Sequence, residues 1–165
     1  MQNTVVLYGS TTGNTKNIAK LIAKKLDADV YDVASFAIDK IANYKNLILG
    51  TSTWGIGDLQ DDWESFIDKL SQANLDEKTV ALFGLGDCGS YADSFVDAMG
   101  IIYKNIKDKN IKLVGKVSKE SYDFVDSQAI ADGQFVGLPL DEDSESNKTE
   151  IRIDQWLESV KPALQ

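Results

Sequence analysis

Three stretches of this chain concentrate groups able to hold a ligand. The first, GSTTGNT at residues 9–15, packs hydroxyls at Ser10, Thr11, Thr12 and Thr15, an amide at Asn14, and Gly9 and Gly13 together without one charged side chain. It follows the apolar run TVVLY and precedes a segment with helical spacing, so it lies where a strand turns into a helix. A helix N-terminus presents unpaired backbone N–H groups and a partial positive charge. A glycine-containing turn there can cradle a phosphate, and the hydroxyls add neutral donors. Ser and Thr also cap helices for purely structural reasons, so this stretch alone leaves both readings open.

Two nucleotide patterns are absent. No lysine lies inside the turn, Lys16 coming only after Thr15, so the GxxxxGK[ST] loop of ATPases and GTPases is missing; GxGxxG is missing as well. What remains is a terminal monophosphate held by neutral groups. The other two stretches are GTSTWGIGDLQDDW at 50–63 and GLGDCGSYADSF at 84–95, each following an apolar run. Trp54 sits among glycines in a loop where core burial is difficult, and Tyr91 follows Gly89 and Ser90. A planar ring can lie between two such side chains. Each taken separately can instead pack against its own helix.

Stepping outward to the elements that carry these stretches, apolar runs lie at 4–8, 28–33, 46–50, 79–84 and, in two pieces, 111–115 and 135–140. Between them apolar residues recur at helical spacing: Ile18, Leu21 and Ile22; Trp63, Phe66, Ile67 and Leu70; Phe95, Met99, Ile102 and Ile106; Ile153, Trp156, Leu157 and Val160. Residues 34–44 form the weakest of five expected helical segments. Strands without strict alternation, separated by helices, predict a three-layer α/β fold with a doubly wound parallel sheet. IKLVG and FVGLPL read as one interrupted fifth strand, with the 19 residues at 116–134 as an excursion and Pro139 at an edge. In such a sheet all three ligand-holding stretches emerge on one rim, where ligands bind.

Composition removes other chemistries. The 165 residues, 43% hydrophobic and 26% charged, suffice for one compact domain with a full core, expected to span residues 1–165. There is no histidine and one cysteine, Cys88, which removes disulfide scaffolds, multi-cysteine clusters, dithiol pairs and histidine triads. Redox chemistry therefore has to come from a cofactor. A net charge of -9 argues against nucleic acid and favours basic protein partners, although solubility explains it equally well. No apolar run approaches the roughly 18 to 20 residues of a membrane helix, and no basic leader precedes a signal-peptide core; a cytoplasmic protein is expected.

In order along the chain, GSTTGNT, TSTWGIGDLQDDW, GLGDCGSYADSF and FVGLPLDEDS resemble the flavodoxins, small FMN-binding electron carriers. The interrupted fifth strand is similar to that of the long-chain subgroup. The resemblance implies a five-stranded sheet of order 2-1-3-4-5 with FMN at the switch point, an architecture for which flavodoxin is itself the standard example. It implies that Ser10, Thr11, Thr12, Gly13, Asn14 and Thr15 bind the FMN phosphate, that Thr53, Trp54, Gly55 and Ile56 cover one flavin face, and that Tyr91 stacks on the other. Gly86, Asp87, Ser94 and Asp143 match positions facing the flavin or ribityl chain. Leu85 departs from the family pattern and offers only its backbone. Cys88 reads either as a flavin-edge contact or as a small half-buried residue without a role.

The implied function is a low-potential one-electron carrier, not an enzyme, shuttling between semiquinone and hydroquinone in place of ferredoxin. Its expected partners are basic reductases and oxidoreductases in transient complexes with a monomer. A peptide flip at Gly55 would bring its carbonyl to flavin N5. Asp58, Asp61, Asp62, Glu64, Asp87, Asp93 and Asp97 lie near the flavin loops in sequence and either oppose negative charge there or form solvated helix faces.

Overall fold

The computed structural model describes residues 3–165. Strand β1 (Thr4–Gly9) leads into α1 (Asn14–Leu26), and β2 (Asp29–Asp32) into a 3-10 segment at Ile38–Asn43. Strand β3 (Asn46–Trp54) passes through the short β4 (Asp58–Leu59) into α2 (Asp61–Gln72), and β5 (Thr79–Leu85) leads to α3 (Asp97–Ile106). Strand β6 (Lys112–Val114) is followed by β7 (Val117–Ser118), β8 (Ile130–Ala131) and β9 (Gln134–Phe135), then β10 (Leu138–Leu140) and α4 (Thr149–Val160).

The main sheet is parallel in the order β2-β1-β3-β5, and the position beyond β5 is shared. Strand β6 pairs with Thr79–Ala81, and β10 with Phe83–Leu85. This is the interrupted fifth strand expected from the sequence. Pro139 falls on that edge, where its missing N–H removes no ladder bond.

Alternation along β1 sends Val5 and Leu7 into one core and Val6 and Tyr8 into the other. The first core is closed by Trp63, Phe66 and Leu70 of α2 and Met99 and Ile102 of α3. Ile18 and Ile22 of α1, with Ile153 and Trp156 of α4, close the second. Burial on both faces explains why these strands read as continuous apolar runs. All described residues of both cores are removed from water at roughly 25 cal/mol per Å² of apolar surface, which fixes the sheet and leaves its rim loops free to vary in sequence.

Three expectations need correction. Residues 34–44 hold no α-helix; Ile41 and Phe36 bury there, but only one 3-10 segment forms, too short for an amphipathic face. Phe95 does not belong to α3, which begins at Asp97 after Val96 takes a positive φ of 49°, a strained setting for a β-branched residue. FVGLPL is two strands: Phe135 pairs with Val117 and Ile130 in a separate antiparallel sheet, β7-β9-β8, and only Leu138–Leu140 join the main sheet.

The excursion is thus an ordered subdomain face. Its Tyr122, Phe124 and Phe135 rings surround Phe95 with centroids 5.8 to 6.0 Å away. Tyr122 Oη donates to Pro139 O at 2.7 Å, and Phe95 N donates to Asp126 O at 3.3 Å. Among the described residues no helix is long and apolar enough to cross a membrane.

Candidate cofactor site

A cleft of about 260 Å³ opens at the C-terminal rim of the sheet, where four loops meet. It is lined by Thr12, Asn14 and Thr15 from the first loop, Ser52, Thr53, Trp54 and Gly55 from the second, Leu85, Gly86, Asp87, Tyr91 and Ser94 from the third, and Glu142 and Asp143 from the fourth.

The first loop is braced before any ligand arrives. Gly13 has φ 99°, a conformation glycine takes at little cost, and its N–H donates to Ser10 Oγ at 3.1 Å. Ser10 therefore acts within the turn as an acceptor. Thr15 is buried at the start of α1. Thr11 Oγ1 accepts from Gln60 Nε2 at 3.1 Å, and Gln60 Oε1 accepts the N–H groups of Asp62 and Trp63 at 3.0 and 3.3 Å. Gln60, buried, thus caps α2 and ties it to the first turn. Sequence reasoning missed it, because its partner lies 49 residues away along the chain.

The second loop continues β3. Ala98 N donates to Thr53 Oγ1 at 3.2 Å, pinning the strand end to α3, and Trp54 Nε1 donates to Ser52 Oγ at 2.9 Å. Trp54 remains 39% exposed and Gly55 has φ 53°. Ile56 stands 89% exposed at the loop tip, outside the cleft lining. In the third loop Tyr91 is 55% exposed, although its backbone is fixed by Tyr91 N donating to Asp87 O at 2.8 Å. Ser94 is buried and Leu85 nearly so, which leaves Leu85 its backbone alone to offer.

Carboxylates hold the third and fourth loops together. Asp87 Oδ1 accepts from Gly89 N and Ser90 N, both at 3.0 Å, and from Ser144 Oγ at 2.8 Å. Burial pushes the Asp87 carboxyl up, but the bonds from Ser90, Ser144 and Gly89 outweigh it and hold the group below its ordinary range. Asp143 goes the other way: burial first, then the charges of Asp87, Asp141 and Glu142, raise it. Asp141, fully buried, accepts from Cys88 N, Asp143 N and Ser144 N at 2.9, 3.0 and 2.7 Å. Glu142, which lines the cleft and whose carboxylate accepts from Thr149 Oγ1, and Asp141, which braces the loops from outside the lining, were both passed over for Asp143. The run DED after the last strand was the available signal.

Two residues near these loops stand apart from the cleft. Cys88 lies outside the cleft lining; burial, then the hydrogen bond and charge of Asp141 and Glu145, push its thiol to about 12, so it stays neutral. Asp97 turns inward, 4% exposed, with Oδ1 accepting from Gln128 N at 2.7 Å, and burial raises it; it does not belong to the acidic rim. Asp58, Asp61, Glu64 and Asp93 remain exposed around the cleft loops.

The arrangement offers a neutral, preorganised anion turn at one end and two accessible aromatic rings beyond it. Comparison with known proteins agrees with that chemistry. A family model described as Flavodoxin matches residues 6–156. The flavodoxin of Synechocystis sp. is 43% identical over 164 residues, covering 97% of this chain and 96% of that protein. The flavodoxin of Buchnera aphidicola is 42% identical over 166 residues, covering 98% and 97%. Among solved structures, Fusobacterium nucleatum flavodoxin bound to flavin mononucleotide superposes with a TM-score of 0.92 at 30% identity, covering 100% of both chains. With a family model matching residues 6–156 and relatives 42–43% identical over nearly the whole of both chains, this chain belongs to the flavodoxin family.

Proposed function

We propose that this chain is an electron carrier that holds FMN non-covalently in the rim cleft, at Ser10–Thr15, Thr53–Ile56, Leu85–Asp87, Tyr91, Ser94 and Asp143. The observation that carries this reading is the pair of exposed rings, Trp54 and Tyr91, lining one cleft with a neutral glycine-containing turn at a helix N-terminus. The donor set fits the cofactor: hydroxyls and backbone N–H groups suit a phosphate monoester, polar Asp87, Ser94 and Asp143 suit a ribityl chain, and Trp54 and Tyr91 suit a flat ring.

FMN, when bound, supplies one-electron redox chemistry at its ring, and the protein supplies placement and electrostatics. The turn at 10–15 anchors the phosphate through Thr12, Asn14 and Thr15 and the first N–H groups of α1. Trp54 and Tyr91 exclude water from the ring faces, each contact contributing about 0.5–1.5 kcal/mol beyond burial. Gly55, already at φ 53°, would be free to turn its carbonyl oxygen toward the flavin edge and accept a hydrogen bond there; a side chain at this position meets both backbone strain and Asp58 Oδ2, 2.6 Å from the added Cβ. Exposed carboxylates near the cleft disfavour added negative charge on the ring and lower the second-electron potential.

The carrier works with redox partner proteins in transient complexes. Basic partners, such as enzymes that otherwise use ferredoxin, suit the -9 charge, whose steering weakens with ionic strength. A cytoplasmic monomer, one domain over residues 1–165 and of the long-chain type because of residues 116–134, completes the reading. Stepwise anaerobic reduction of the FMN-loaded protein, followed by visible absorption, tests it. Two successive one-electron stages are expected; direct two-electron bleaching, or no uptake of FMN, overturns it.

A further inference from the structure

A second cavity, of about 180 Å³, opens between α4 and the residues that follow β6. Lys116, Ser121, Tyr122, Arg152, Gln155 and Trp156 are among its walls, and none of them lines the cofactor cleft. Arg152 is only 9% exposed. Its Cζ lies 4.2 Å from the centroid of the Tyr122 ring, and Nη2 donates to Glu145 Oε1 at 3.1 Å and, weakly, to Ser121 O at 3.4 Å. Nη1 has no acceptor, and among the described residues it is the only buried side-chain nitrogen or oxygen so placed.

A buried charged donor without a partner is costly, because it has given up water and gained nothing. Local charge sharpens the point. Glu145 divides its carboxylate between Arg152 and Lys148, the latter at 2.6 Å. Lys116 has only the highly exposed Asp132, at 3.9 Å. Arg152 thus shares the Glu145 carboxylate with Lys148, with the Asp141 carboxylate also against Glu145, while among the described residues the cavity wall itself presents two cations, Arg152 and Lys116, and no carboxylate. The long contact to Ser121 O gives way easily, freeing the guanidinium to turn an edge to an occupant of the cavity.

We infer that this cavity is a binding site for a small oxyanion, a phosphate or a short carboxylate, held by the Arg152 guanidinium with Lys116 as second cation. A planar fork of donors matches two oxygens of such a group, and a lysine ammonium adds a point charge. The volume excludes a nucleotide. Stacking on Tyr122 limits the guanidinium to small turns about its place over the ring, so an edge can swing to the ligand without the side chain leaving its position. The occupant bridges α4 and the excursion at 116–134 and competes with Glu145 for Arg152. The inference does not depend on what the rim cleft holds.

The test uses the FMN-saturated protein, so that the turn at 10–15 is already filled. Sodium phosphate, and separately sodium acetate, is titrated at constant ionic strength and followed by 1H–15N NMR. The reporter is the Trp156 indole N–H, which donates to Gly115 O at 2.8 Å beside the cavity; the Trp54 indole is the control. A saturable shift at Trp156 without one at Trp54 is expected, and which salt saturates identifies phosphate or carboxylate as the ligand. Lys116→Gln, at an exposed position, weakens binding at least threefold; Arg152→Met abolishes it; Glu145→Gln tightens it at least twofold. Linear shifts with both salts, saturation only at residues 10–15, or unchanged affinity in Lys116→Gln overturn the inference. Should Arg152→Met fail to fold, the Lys116→Gln and Glu145→Gln pair decides.

Discussion

The two ends of the rim cleft are built on different principles. At the 10–15 end every brace is neutral and in place beforehand: Gly13 N to Ser10 Oγ, Gln60 Nε2 to Thr11 Oγ1, Thr15 buried at the helix start. At the other end Trp54 and Tyr91 stand 39% and 55% exposed, and the backbone beneath Tyr91 is held by carboxylates, Asp87 and Asp141. The first end is braced without a charge, and on the proposed reading a phosphate there would exchange water for fixed dipoles. The second supplies apolar area that is left in water until a ring covers it. On the proposed FMN reading, specificity for the phosphate group would reside in geometry at one end, and most of the burial energy in two side chains at the other.

The sharpest way to break this contrast is to remove a ring. Trp54→Ala and Tyr91→Ala each forgo stacking and burial together, about 2–3 kcal/mol, or roughly 30- to 150-fold in FMN dissociation constant. Quenching of FMN fluorescence on binding measures it. Unfolding midpoints of the apo forms should hardly move, since neither ring is part of a core. A change below threefold for both variants would mean that the rings do not cover the cofactor.

At the opposite end Gly13→Ala tests preorganisation alone. Nothing lies within 4 Å of the added Cβ, so no contact is lost or forced, and the penalty is conformational: about 1–2 kcal/mol for a non-glycine residue at φ 99°. Because the strain acts on the folded turn whether or not a ligand is bound, this variant should lower apo stability in urea titrations. The ring variants lower affinity and leave stability alone. Should Gly13→Ala weaken FMN binding more than tenfold with no loss of stability, the turn is not preorganised but is shaped by its ligand.

The same contrast explains what was legible in the sequence. Turn chemistry is local, so GSTTGNT between a strand and a helix announced a glycine-containing turn at the start of α1, and the alternation of runs announced the sheet. Gln60 and Asp141 work through partners distant along the chain, or through backbone N–H groups that carry no residue type, and composition is silent about both. Phe95 kept a helical period with Met99 and Ile102 by coincidence; it packs instead under the rings of the excursion, which tertiary contact alone reveals. Asp97 likewise looked like a rim carboxylate and is a buried acceptor for Gln128 N. The remaining rim charges give a third, smaller effect. Asp61→Asn with Asp62→Asn should raise the second-electron potential by the equivalent of about 1 kcal/mol or less after solvent and salt screening, and the shift should shrink as salt is added.

The smallest effect concerns pH, and it separates the two ends most cleanly. Asp87 is held below its ordinary range, so it contributes stability that is present above about pH 3.9, the unfolded carboxylate value, and lost as pH falls through its lower folded value. Asp143 is raised, so it opposes folding where it is ionised, and that opposition is relieved as pH falls through its folded value. The two partly cancel near pH 4, and below that the loss from Asp87 dominates. Asp87→Asn should therefore cost below about 1 kcal/mol at pH 7, as for a largely solvated interaction, and the difference from the parent should vanish once the parent's Asp87 is protonated. Chemical unfolding across a pH series measures it. The turn at 10–15 contains no titratable group, so acidification should loosen the Tyr91 end first, seen as amide exchange rising at 87–91 before 10–15. Simultaneous loosening of both ends would show that the cleft responds as one cooperative unit, despite its two kinds of bracing.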